Sequence, residues 1–272
     1  PKPSSAASDV YKRQNASRSA GEVARMLAEI DLPTDAAHIL TSAQAALGLA
    51  ADALRPGDPV LVLGAQSFRD LVQEAGYRLV DSADEHPKVV LHGHNPETGW
   101  AELSEAALAI RAGAEYLASN MDTTLPMERG LMVGNGSMIA AVTSATGVVP
   151  ASAGKPEPAM FHQAVQRIGA QAPLGVGDRL DTDLAGGVAA GMPTLHVLTG
   201  VSGPHALLQA PPEQRPTYIA EDMRGLAADP ACLQPGPHGG FLARMDGDAL
   251  VLSGGTAQST SCLLYTSPSP RD

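Results

Sequence analysis

VGDRLDTDLAGGVAAGM, Val176–Met192, runs from a short apolar strand through three aspartates into a helix of small residues. The strand begins upstream in PLGVGD and ends at Gly177; Asp178, Asp181 and Asp183 follow before helical spacing resumes. In open α/β sheets the ligand crevice lies beyond the carboxyl ends of the strands, so these acids stand where a ligand would bind. Hard carboxylate oxygens at such an edge suit Mg²⁺, which takes a few carboxylates and completes its shell with water and phosphate. A plainer reading is that Asp caps helices and is welcome at their positive end. Three aspartates exceed what one cap needs, and the spacing lacks the Gly and Glu of an EF-hand.

Outward from this stretch, apolar runs alternate with helical patterns along most of the chain, as in an α/β fold with mainly parallel strands. PVLVLGA (59–65), YRLV (77–80), KVVLHG (88–93), EYLASN (115–120) and PTLHVLTG (193–200) read as strands. SFRDLVQEAG (67–76), WAELSEAALAIRAGA (100–114) and GNGSMIAAVTSATG (134–147) read as helices. Upstream, NASRS (15–19) opens a helix that Ser17 can cap. Beyond Pro230 the pattern weakens, and GGFLARMDGDALVLSGG (239–255) reads as a hairpin turning at Asp246-Gly247-Asp248.

The net charge is −11, with 29 acidic against 18 basic residues and no basic cluster, which argues against nucleic acid or an anionic membrane as partner. No apolar run is long enough to span a bilayer. Aromatics make up 3%, so the core must be built from Ala, Val, Leu and Ile. Of the two cysteines, Cys262 lies in a tail, leaving Cys232 without an internal disulfide partner; a reducing cytoplasm is the expected compartment.

The two tails do not follow the fold pattern. Cys-Leu-Leu-Tyr-Thr-Ser (262–267) can be encoded TGT CTC TTA TAC ACA TCT. The reverse complement, shifted by one base, encodes Asp-Val-Tyr-Lys-Arg and the first two bases of a Gln codon, matching residues 9–14. Opposite-strand coding of two protein segments is no property of folds, and both tails resemble translated sequencing adapters. Residues 1–14 and 262–272 are therefore set aside, with Asn15 expected as the first native residue.

A second chemical element is GKPEPAMF (154–161), where Lys155 precedes a helix whose first turn Pro158 can occupy. A Lys there can neutralise phosphate and hold a carboxylate nucleophile. Alone it reads equally as a solvated surface Lys. One helix separates it from the aspartates, so both are expected at the same edge of one parallel sheet.

Taken in order, NASRS, GKPEPAMF and VGDRLDTDLAGGVAAGMPTLHVLTGV resemble the haloacid-dehalogenase superfamily of aspartate-nucleophile phosphatases. Within it they resemble the subfamily with a large α/β cap, which includes bacterial glycerol-3-phosphate phosphatases. The resemblance implies a Rossmann-like core without its first strand (15–33 and 148–233), an inserted α/β cap (34–147) and a C-terminal extension (234–261). RPTYIAEDMRGL (215–226) looks like the beginning of that extension. The implied site is Asp178 as Mg²⁺ ligand, Asp183 orienting metal-bound water, Lys155 as charge-neutralising group, and Asn15 near the phosphate. Asn120, Asp122, Thr123 and Thr124, in a loop after a strand end, would meet the leaving group from the cap, or form a simple Asx/Thr turn. The resemblance further implies a small phosphorylated metabolite as substrate, a polyol-like leaving group from MDTTLP (121–126), and a homo-oligomer through the cap.

The family's nucleophile and acid/base are the aspartates of an Asp-x-Asp motif on the first strand. No such motif precedes Asn15, and position 13, where a phosphate-holding hydroxyl would stand, is Arg13. The expectation is an Mg²⁺-dependent phosphomonoester hydrolase whose 272-residue chain does not turn over. The alternative is a non-catalytic phosphate-binding protein of the same fold.

Overall fold

The computed structural model describes residues 18–236, 240–247 and 249–254. They fall into two units, one reaching to Ala170 and one beginning at Gln171. Both tails and Asn15 lie outside the described residues, as does Ser17. The first helix, Ala20–Ala28, is capped by Ser19 instead. The Ser19 hydroxyl accepts from the Glu22 N–H, and the Glu22 carboxylate accepts from the Ser19 N–H at 2.7 Å, a reciprocal pair that Ser17 is too far upstream to make.

The first unit is organised on a parallel five-stranded sheet. Its strands are β1 (Pro59–Leu63), β2 (Arg78–Val80), β3 (Val89–His92), β4 (Glu115–Ala118) and β7 (Ala151–Ser152), in the order β2-β1-β3-β4-β7. Between β4 and β7 lies a separate antiparallel hairpin of β5 (Thr124–Met127) and β6 (Gly130–Val133). Side chains alternate across the large sheet. Val60, Val62, Val89, Leu91 and Leu117 pack on one face with Ala43, Ala46, Phe68 and Val72 from helices Ser42–Ala50 and Gln66–Glu74. Leu61, Leu63, Val90, Tyr116 and Ala118 face the other way, onto Ala106, Ile110, Ile139 and Val142 of helices Trp100–Arg111 and Asn135–Thr146. Covering both faces explains why these strands read as unbroken apolar runs.

The second unit carries the parallel sheet β10-β9-β8, formed by β8 (Gly175–Gly177), β9 (Thr194–Val197) and β10 (Tyr218–Ala220). Leu195, Val197 and Ala220 form its core with Val176, Tyr218 and Leu233. Tyr218–Ala220 pairs in parallel with β9 and completes this sheet. The expected hairpin forms, Phe241–Asp246 pairing with Ala249–Gly254; Asp248 of its turn lies outside the described residues. Among the described residues no helix is long and apolar enough to cross a membrane.

Candidate active site

β8 ends at Gly177 and the chain turns at once through Asp178 into a single π-helical turn, Leu180–Leu184. Leu180 and Leu184 are buried and anchor this turn, which leaves Asp178 and Asp183 half-buried at the strand end. The Asp183 Oδ2 accepts from the backbone N–H of Asp178 (3.3 Å) and of Arg179 (3.2 Å). The Asp178 Oδ2 accepts from the Val201 N–H at 2.9 Å, and the Asp178 carbonyl accepts from the Ser202 N–H at 3.0 Å. Two carboxylates are thus oriented by backbone amides at one strand end. Two glycines make room for them: a Cβ at Gly177 would collide with the Asp183 side chain, and one at Gly200 with the Asp178 carboxylate.

The third aspartate is engaged otherwise. Asp181 is exposed and takes a two-pronged contact from Arg179, Nε to Oδ1 at 3.0 Å and a terminal nitrogen to Oδ2 at 2.6 Å. That guanidinium holds the Asp181 carboxyl below its usual range. No group of three or more His, Cys, Asp or Glu side chains among the described residues forms a metal site by itself. A pair of amide-oriented carboxylates nevertheless matches the donors Mg²⁺ uses, since that ion keeps several waters and often takes one or two carboxylates.

Lys155 is exposed in the first unit, after β7, its peptide bond to Pro156 cis. The expectation of one shared sheet edge is corrected: β7 pairs with β4 and β8 with β9, so Lys155 and the aspartates follow strands of different sheets. β7 is the edge strand beside β4, and its following residue Ala153 still donates to the Ala118 carbonyl at 2.9 Å. This pairing brings the loop of Lys155 to the loop that follows β4. A Cβ at Gly154 would lie 2.7 Å from the Ser119 carbonyl oxygen and 3.0 Å from the Asn120 Cα.

In that loop Asn120 makes an Asx turn, its Oδ1 accepting from the Asp122 N–H at 3.3 Å. The carbonyls of Asp122 and Thr123 accept from Gly136 and Gly134, which fastens the loop to the start of helix Asn135–Thr146. Asp122, Thr123 and Thr124 keep exposed side chains, and Thr124 belongs to β5 and not to a loop. Its pairing with Val133 arises because Gly130 reverses the chain at a φ of 122°, a turn that MDTTLP alone does not announce.

Several polar residues escaped the sequence reading. Asn135, 2% exposed, ties two strand ends together, its Nδ2 donating to the carbonyls of His92 (3.3 Å) and Asn120 (2.9 Å). His92 is buried with Nδ1 at 2.8 Å from the Tyr116 hydroxyl, and burial pushes its imidazole down to about 4. In the second unit His196 is buried in β9, its Nε2 at 2.9 Å from the Ser202 carbonyl. Burial lowers its pKa, against the carbonyls of Ser202 and Gly177 and the charges of Asp178 and Asp183. The one available signal is a His inside an apolar strand, unremarkable because single core histidines are common.

A parallel α/β sheet that ends in two amide-held carboxylates has the architecture of the open α/β proteins, whose ligand crevices lie at their strand ends, and carries donors that suit a hard cation. The comparisons make this specific. Residues 14–78 match the haloacid dehalogenase-like hydrolase family and residues 152–226 a HAD-hydrolase-like family. The D-glycerol 3-phosphate phosphatase of Mycobacterium tuberculosis is 46% identical over 243 residues, 89% of this chain and 69% of that protein. An acid sugar phosphatase of Staphylococcus aureus is 35% identical over 195 residues, 71% of this chain and 74% of its own. The crystal structure of the Mycobacterium tuberculosis glycerol phosphate phosphatase in complex with magnesium matches with a TM-score of 0.85 at 46% identity, covering 90% of this chain and 75% of that one. The chain belongs to the haloacid dehalogenase-like hydrolase family, as its motifs implied.

Proposed function

We propose that this chain is the metal- and substrate-binding part of an Mg²⁺-dependent phosphomonoester hydrolase acting on a small phosphorylated metabolite of the glycerol 3-phosphate or phosphoglycolate type. The observation that carries the reading is the pair Asp178 and Asp183, fixed by backbone amides at the end of β8. Similarity to a D-glycerol 3-phosphate phosphatase and to an acid sugar phosphatase supports the substrate class. Asp178 would be the direct ligand of the ion, and Asp183 would orient its water. Bound Mg²⁺ would supply charge compensation for the transferring phosphoryl group. Lys155 neutralises phosphate charge, and Asn15 is assigned to phosphate binding. Asn120, Asp122, Thr123 and Thr124 meet the leaving group, whose small size follows from the absence of an aromatic or His in MDTTLP.

The Asp-x-Asp motif that supplies the nucleophile and the acid/base in this family is not among the residues ahead of Asn15, which include one aspartate, Asp9. The 272-residue chain is therefore expected to bind Mg²⁺ and phosphate without turnover. We further assign it to the cytoplasm, and its cap to self-association. The test joins a strand carrying Asp-x-Asp ahead of Asn15 and compares glycerol 3-phosphate, phosphoglycolate and pyridoxal phosphate. Hydrolysis favouring the first two supports the reading. Preference for pyridoxal phosphate overturns the substrate class, and binding without hydrolysis even then favours a non-catalytic phosphate-binding protein.

A further inference from the structure

His196 lies in β9 in register with Gly177, its side chain on the face opposite Leu195 and Val197. It is 0% exposed, and its Nε2 sits 2.9 Å from the Ser202 carbonyl. A carbonyl only accepts, so Nε2 carries the proton and Nδ1 is left as an acceptor. That Nδ1 is buried without a hydrogen-bond partner among the described residues. Such an orphan costs free energy that an aliphatic side chain would avoid, so packing does not explain a His here.

What Nε2 holds does explain it. Ser202 donates its N–H to the Asp178 carbonyl at 3.0 Å, and its hydroxyl accepts from the Leu180 N–H at 3.2 Å. The preceding residue, Val201, donates its N–H to the Asp178 Oδ2 at 2.9 Å. The segment Val201-Ser202 thus grips Asp178 by backbone and carboxylate together, and His196 ties that segment back to the sheet.

We propose that His196 is a positioning residue: by holding the Ser202 carbonyl it sets the Val201 N–H against Asp178 and so orients that carboxylate for a divalent cation. This rests on the metal reading of Asp178 given above. His196 touches neither substrate nor ion and acts through Val201 and Ser202 alone. The amide group of a Gln at 196 can approach the place of Nε2, whereas that of an Asn falls short of it.

The full chain and its His196→Gln, His196→Asn and His196→Leu variants are titrated with MgCl₂ by calorimetry. Amide exchange of Val201 and Ser202 is followed without metal, with thermal melts as a check on folding. The expected result is a loss of Mg²⁺ affinity of about 10- to 100-fold for Asn and Leu, with faster exchange at both amides. His196→Gln is expected to restore both readouts. Wild-type affinity and exchange in a folded Leu or Asn variant would overturn the proposal, as would a folded Gln variant no better than Asn. Should the wild-type chain bind no Mg²⁺, the metal reading fails and the proposal's cation role with it; exchange then shows whether His196 still holds the loop.

Discussion

The Asp183 carboxylate accepts hydrogen bonds from the backbone N–H groups of Asp178 and Arg179, so the second acid is pinned across the turn that presents the first. They stand five positions apart in sequence, and one turn supplies both side chains and the amides that hold them. Asp183→Asn keeps a carbonyl acceptor for the amides and removes a negative charge. It is expected to weaken Mg²⁺ binding by about 10-fold or more with little change in the thermal midpoint. Asp181→Asn is the contrasting case. It breaks an exposed pair with Arg179 worth about 0–1 kcal/mol, and calorimetry should find Mg²⁺ affinity unchanged.

Gly177 is where the backbone makes room for this arrangement, because a Cβ there would run into Asp183. Gly177→Ala must push the carboxylate off its two amides or open the strand end. A destabilisation of about 1–3 kcal/mol is expected, together with weaker Mg²⁺ binding. Denaturant unfolding and calorimetry on the same variant measure the two effects. Intact stability with intact binding would show that the turn can relax.

Phe68 is the largest fully buried side chain of the first unit, with its ring against Gly64 and Gly93 at the ends of β1 and β3. Phe68→Ala leaves a cavity and is expected to cost about 3–5 kcal/mol in the unfolding of that unit. Chemical denaturation followed by circular dichroism reads this.

His92 sets a pH dependence. Its folded pKa, about 4, lies below the ordinary 6.5, because burial opposes the charged ring. Below pH 6.5 the unfolded chain takes up a proton that the folded chain refuses, so stability falls as pH drops through the window from 6.5 to 4. About 2 kcal/mol is expected to be lost from this group between pH 7 and pH 5. The comparison is with His92→Gln, whose stability should fall less steeply over that range. Equal slopes in urea unfolding would place the cause elsewhere.

The strands of the larger sheet were legible because burial on both faces leaves a run such as Val60–Leu63 no polar position. The acidic turn was legible for a related reason, since three aspartates behind an apolar strand stand out against the pattern. β7 was not, because two residues carry no periodicity and their pairing with β4 depends on a partner more than thirty residues upstream. The β5–β6 hairpin was hidden by a chain reversal at Gly130, where any Gly would look alike in sequence. The N-cap illustrates a finer limit: Ser17 and Ser19 are equivalent as letters, and the Glu22 side chain chooses Ser19.

By itself the sequence determined the α/β class, the family and the candidate acids, because hydrophobic period and residue chemistry are local properties. Only the tertiary structure decided that Asp178 and Asp183 are held together while Asp181 turns to Arg179, and that Lys155 follows a strand of another sheet. It also decided that the buried His196 reaches the segment gripping Asp178. The physical reason is common to all three. Hydrogen-bond partners and strand neighbours are chosen by distance in space, over which the order of residues along the chain has no direct control.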